Sequence, residues 1–175
     1  MKQFFEEVLS LPYKPNLNTY EHEKQVERLL IKHNLEYVAQ PNGSQKSPDF
    51  LVTYKGKQYP IECKSSKHPK PQYNSGLPKP GVVYIFCSAK YDQTTIFFAE
   101  DILKPKKIEM YKKLRLELKE VLNKYQKHPD WQDPDRGFDY YIRDMYQQSG
   151  TFHQTDYFKH KDRSKCEQRV LNYNW

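Results

Sequence analysis

The chain has 175 residues, enough to bury a real core as one domain, with a formal net charge of +7 and 15% aromatic residues, fifteen of them tyrosine. This basic, Tyr-rich balance fits a nucleic-acid partner. The longest apolar runs are far too short to span a membrane, no signal-peptide pattern opens the chain, and three cysteines, an odd number, argue against a disulfide framework. The expectation is a soluble protein of a reducing, cytoplasmic setting. There is no internal repeat.

Lys2 to Leu11 reads as a short helix, with Phe4, Phe5, Val8 and Leu9 on one side and Pro12 and Pro15 ending it. A second helix begins near Asn18, where Glu21 three positions later completes a pattern similar to a capping box. Its apolar stripe is Val26, Leu29 and Leu30, and it ends at Asn34. Glu23 sits on or beside that stripe, three residues before Val26; a solvated helix edge is one reading of it. Leu35 to Ala39 is a short strand candidate. The following QPNGSQK turn, Gln40 to Lys46, places Gln45 and Lys46 where they could meet a base edge or a phosphate; an ordinary Pro-Asn-Gly turn is the alternative.

Ser47 to Lys67, SPDFLVTYKGKQYPIECKSSK, predicts two strands joined at Lys55-Gly56. Phe50, Val52 and Tyr54 alternate on one face and Tyr59, Ile61 and Cys63 return on it. A two-residue loop sets Phe50 opposite Ile61, Val52 opposite Tyr59 and Asp49 opposite Glu62; a slip of one residue would mix the faces. Asp49 and Glu62 then form two carboxylates on one face, with Lys64 two residues further along it. Like charges placed opposite each other destabilise a sheet, so the arrangement makes sense around a divalent cation. Oxygen ligands of this kind suit Mg²⁺, and Lys64 would lie beside the metal-bound water.

Pro48-Asp49, twelve intervening residues and Glu62-Cys63-Lys64 resemble the PD-(D/E)xK signature of a large nuclease superfamily, which includes type II restriction endonucleases and Holliday-junction resolvases. The resemblance implies an α/β, restriction-endonuclease-like core: a mixed central sheet of four or five strands flanked by helices. It implies that Asp49, Glu62 and the main-chain carbonyl of Cys63 hold Mg²⁺, and that Lys64 positions or helps to deprotonate the attacking water and neutralises charge on the phosphate. Many of these nucleases carry a glutamate on the helix before the sheet that reaches the site, which is the second reading of Glu23. The function implied is Mg²⁺-dependent hydrolysis of double-stranded DNA at a specific short sequence, as in a type II restriction endonuclease. A homodimer and a cognate DNA methyltransferase would be its partners. A junction resolvase, or a DNA-binding module with a vestigial site, is the alternative.

Ser65 to Gly81 carries prolines at 69, 71, 78 and 80 and leaves directly from the catalytic strand. It reads as a DNA-contacting loop, with Lys67, Lys70, Gln72, Asn74 and Lys79 supplying donors and acceptors; a surface linker is the alternative. Val82 to Ser88 and Thr94 to Ala99 are apolar, β-rich runs, and Cys63 and Cys87 within the strands read as small buried hydrophobes. Lys106 to Lys127 is the longest helix candidate, with a stripe of Ile108, Tyr111, Leu114, Leu118, Val121, Leu122 and Tyr125 and a lysine face that reads as solvated. These elements place a single nuclease domain over 1–175, its core at about 18–127. Residues 128–175 supply a further helix, Phe138 to Gln148, and a basic aromatic tail that could pack, cover DNA or form a dimer contact. His22, His33, His68 and His128 read as surface residues.

Overall fold

A computed structural model describes residues 1–13, 19–44, 46–74, 76–132, 139–147 and 156–175. Its centre is the hairpin of β2 (Phe50–Tyr54) and β3 (Lys57–Ser66). The register is the one the alternation predicts: Phe50 pairs with Ile61, Val52 with Tyr59 and Tyr54 with Lys57. Lys55 and Gly56 both take positive φ, 50° and 74°. That is the backbone of a turn whose twist matches the strands it joins.

The strand β1 (Glu36–Ala39) pairs antiparallel with β2 on the outer side. On the other side, β3 pairs in parallel with β5 (Val83–Ser88), which pairs antiparallel with β6 (Gln93–Phe98). The result is a five-stranded mixed sheet in the order β1-β2-β3-β5-β6. Between β3 and β5 the chain makes a second, two-stranded sheet: β4 (Gln72–Tyr73) pairs with β7 (Tyr146–Gln147).

Period-2 alternation divides the sheet's side chains between two cores. One face buries Phe50, Val52, Ile61, Cys63, Val83, Ile85 and Ile96 against α1 (Lys2–Leu9), α2 (Thr19–Lys32) and the residues Val170, Leu171 and Trp175. The other buries Tyr84, Phe86 and Phe97 against Tyr73, Ala99, Tyr157 and Phe158. The described part of the basic aromatic tail, Asp156 to Trp175, packs as a terminal element. Its helix α6 (Arg163–Leu171) lies along β6, with Val170 in the first core, Cys166 against the second, and Glu167 accepting a hydrogen bond from Thr95 at 2.6 Å. It thereby covers an edge strand that would otherwise be open to pairing. The cysteines are all free, and Cys63 and Cys87 are buried as expected.

Four expectations are corrected. Residues 139–145 are not helical and lead into β7, because Tyr146 and Gln147 pair with β4 and the Tyr146 ring packs on Tyr111 at 5.4 Å. The Pro-rich connection is partly strand: Ser65 and Ser66 belong to β3, and Tyr73 is buried against Tyr84. The stripe of the long helix α4 (Pro105–Gln126) is not core, since none of its residues is buried; its neighbours include α5 (Pro129–Gln132) and the 139–147 segment. His22 is fully buried, and desolvation pushes its imidazole down to about 4. Asn18 and Phe138, proposed as helix-bounding residues, lie outside the described residues, as do 148–155. Between β6 and α4 the chain makes the short helix α3 (Ala99–Ile102). No helix among the described residues is long and apolar enough to cross a membrane.

Trp175 ties the tail to the sheet: its ring packs on Phe5, Tyr59 and Phe98, its indole N–H donates to the Val170 carbonyl, and its carbonyl accepts from Lys55 at 2.9 Å. Trp175→Ala is expected to lower unfolding stability by about 3–5 kcal/mol, the usual range for emptying an aromatic core position. Urea denaturation measures it, and a midpoint unchanged from wild type would show that the tail is not part of the cooperative core.

Candidate active site

The strand β3 has ten residues and β2 only five, and the ladder between them ends at Phe50 and Ile61. Beyond that pair β3 continues, bonded to β5 on one edge with its other edge open from Glu62 onward. The site is built in this gap. Asp49, the residue before β2, bends its carboxylate across so that Oδ2 accepts the Cys63 N–H at 2.6 Å. The Cys63 carbonyl belongs to the same strand edge, because a strand residue presents its N–H and C=O to one side. The Cys63 side chain points the other way into the core, where burial pushes the thiol well above its ordinary range.

Glu62 is 6% exposed and falls beside Tyr84 of β5, on the face opposite the first core. Its Oε1 pairs with the Lys64 ammonium, while its Oε2 is buried with no protein partner. Glu23 of α2 borders the same space. Burial, then the charge of Glu62, pushes the Asp49 carboxyl up to about 7, against the opposing pull of the Cys63 N–H. Burial likewise raises Glu23, with Lys64 opposing and Glu62 adding to the rise. Three acidic groups therefore share a partly dry site with one neutralising lysine.

These groups open into a cleft of about 670 Å³. Lys46, Gln72 and Asn74 line it, as the sequence suggested. Lys79 lies in an adjoining recess with Asn74, Glu62 and Lys64, its ammonium 3.4 Å from the Ser47 carbonyl. Lys67 and Lys70 do not border the cleft, and Gln45 lies outside the described residues. The structure adds Tyr20, Gln40, Ser44, Ser65 and, from the opposite wall, Arg143. Arg143 reaches the cleft only because β7 brings the 139–147 segment onto β4. No local motif signals it.

No protein-family model, curated protein sequence or solved structure matches this chain.

The fit of a divalent cation rests on the site's own chemistry. Among the described residues no three His, Cys, Asp or Glu side chains form a ready-made cage. Mg²⁺ does not require one, since it commonly takes one or two carboxylates and fills its remaining positions with water and substrate oxygens. Two carboxylates under mutual repulsion, one with an orphaned buried oxygen, together with a main-chain carbonyl, form a hard-oxygen donor set of that kind.

The raised Asp49 carboxyl gives a pH-dependent prediction. Its folded value lies above the unfolded value near 3.8, so the folded state holds a proton that the unfolded chain has lost, and ionising Asp49 costs stability as pH rises from about 4 to about 7. The buried His22 acts in the opposite sense, destabilising the fold as pH falls from 6.5 toward 4. The useful quantity is therefore the difference between Asp49→Asn and wild type without metal. The variant's melting temperature should exceed wild type's by a margin that grows across that interval, reaching roughly 2–6 °C at pH 8. Mg²⁺ should then raise the wild-type value and leave the variant's nearly unchanged. A margin independent of pH would refute the assignment of a buried, repelled carboxyl.

Proposed function

We propose that the protein is a Mg²⁺-dependent endodeoxyribonuclease with a restriction-endonuclease-like fold. The observation that carries this reading is the convergence of Asp49, Glu62 and Lys64 at the open edge of β3, inside a cleft whose other walls carry Lys46, Gln72, Asn74 and Arg143. Asp49, Glu62 and the Cys63 carbonyl would hold the ion, and Glu23 would stand behind them. A bound Mg²⁺ supplies Lewis-acid polarisation of the phosphate and a water made more acidic. Lys64, held by Glu62, would lie where negative charge develops on the phosphate during in-line attack. The Asp49 side chain is anchored by the Cys63 N–H, so the carboxylate is positioned before substrate arrives. Excluding bulk water from the buried side of the site strengthens each of these interactions.

Double-stranded DNA is the substrate class that suits the cleft. Lys46 and Arg143 match phosphate, while Gln72 and Asn74 offer the paired donor and acceptor that base edges require. A restriction enzyme of this kind would act as a homodimer on two-fold symmetric sites, alongside a methyltransferase that protects the host. A resolvase would instead read the shape of a branched junction. A plasmid digest in Mg²⁺ beside an immobile four-way junction, with the fragment ends sequenced, separates the two. Discrete fragments sharing one short sequence, with the junction uncut, support restriction. Junction cleavage with intact duplex makes the protein a resolvase, and no cleavage of either opposes the nuclease reading.

Asp49→Ala, Glu62→Ala and Lys64→Ala should each reduce cleavage about a thousandfold or more with the fold retained. Glu23→Gln should cost roughly ten- to hundredfold, as for a group acting through others. Full activity in the Glu62 variant would remove the site assignment. Arg143→Ala should weaken duplex binding and lower the slope of log affinity against log salt by about 1, measured in Ca²⁺ to prevent turnover; an unchanged slope would take Arg143 out of the phosphate contacts.

A further inference from the structure

The helix α4 has 22 residues and none of them is buried. A helix of such length owes its stability in water chiefly to packing of an apolar face. That face exists. Tyr111, Leu114, Leu118, Val121 and Tyr125 recur at intervals of 3, 4, 3 and 4 residues, the spacing of a helix-pairing seam. Leu114, Leu118, Val121 and Tyr125 are 46%, 45%, 54% and 57% exposed.

The two flanks of the seam differ. One is taken within the chain: Tyr111 packs on Tyr146, and Arg115 pairs with Asp144 at 2.6 Å. Leu122, half-buried on the same flank, joins the seam residues Leu118, Val121 and Tyr125 in lining an apolar groove of about 490 Å³ with Trp131, Tyr140 and Ile142. The other flank, with Met110, Glu117 and Lys124, is open to solvent.

We infer that α4 is a self-association surface on which a second copy of this chain lays its own α4 antiparallel, about a two-fold axis passing between Lys119 and Glu120. Charge selects this arrangement. With the axis there, Leu118 meets Val121 of the second copy and Leu114 meets its Tyr125. On the open flank Glu117 meets Lys124 of the second copy, and by symmetry Lys124 meets its Glu117. Neighbouring seam alignments are disfavoured: centred on Leu116, Glu117 faces Glu117 and Arg115 faces Arg115, and centred on Asn123, Lys124 faces Lys124, all of which repel. The favoured contact runs from residue 114 to 125, about 18 Å of helix. It joins the cleft mechanically, because the segment held by Arg115 and Tyr111 is the one that carries Arg143 and pairs with β4. The inference rests on the α4 face and stands independently of the nuclease reading.

Sedimentation of the full chain over a concentration series tests it, with far-UV circular dichroism confirming the fold of each variant. The wild type should move from 21.1 kDa to twice that mass as concentration rises. The Leu118→Glu/Val121→Glu variant should remain at 21.1 kDa. Glu117→Lys alone and Lys124→Glu alone should each weaken the dimer about tenfold, since both symmetry-related pairs turn repulsive. An equimolar mixture of these two variants should regain wild-type affinity as a heterodimer. A wild type that stays monomeric overturns the inference. So does a Leu118→Glu/Val121→Glu variant that remains dimeric, including one that loses DNA affinity instead. Failure of the mixture to recover overturns the antiparallel geometry.

Discussion

The site depends on one mismatch of lengths. The strand β3 runs on after β2 has ended, so its second half has no strand beside it on that edge. Main-chain groups there would be costly if left buried and unpaired, and the chain answers with Asp49, whose carboxylate accepts the first free N–H. The residue that completes the strand's hydrogen bonding is thus also the one that brings a charge to the cleft. The β4–β7 pair brings Gln72, Asn74 and Arg143 to the same cleft, and the strand is packed on both faces by the two cores.

The same arrangement is held at an electrostatic cost. Asp49, Glu62 and Glu23 raise one another's energy in a partly dry space, and Lys64 offsets only part of it. A fold selected for stability alone would not gather three carboxylic acids around one partly buried site with one oxygen lacking a partner. Local rules broken in this manner concentrate where a protein acts on something else. The large apolar cores around the site supply the stability that this cost consumes.

Much of this was legible in the sequence because it is periodic. The hairpin register from Phe50–Ile61 to Tyr54–Lys57 followed from alternation of Phe50, Val52, Ile61 and Cys63. The expected pairing of Asp49 opposite Glu62 does not form: the ladder ends one pair earlier, and Asp49 joins Glu62 and Lys64 through the Cys63 N–H instead. The helices α1, α2 and α4 followed from their stripes, with ends displaced by a residue or two. What stayed hidden is aperiodic or tertiary. A two-residue strand such as β4 or β7 carries no pattern, so the route by which Arg143 reaches the cleft left no mark in the chain. The spacing of Tyr141, Ile142 and Met145 suits a helix, yet the segment is not helical and ends in a strand that pairs with β4 and packs on Tyr111. His22 is a polar residue on a helix, and its complete burial comes from tertiary packing of that helix, which touches α1, β1 and β3. A stripe on α4 shows that a face is apolar and leaves open what it touches.

The strand edge at Cys63 has a further consequence for genetics. Its side chain serves the hydrophobic core, while its N–H and carbonyl serve the cleft, and every amino acid other than proline supplies the same two groups. Replacing Cys63 by alanine, serine or valine perturbs packing and leaves the cleft's chemistry in place. An alanine scan would therefore score position 63 as a core residue and pass over its second duty. Backbone editing, such as an ester in place of the amide, reaches what codons cannot. Part of the cleft's wall is written in a portion of the molecule that almost every point mutation preserves.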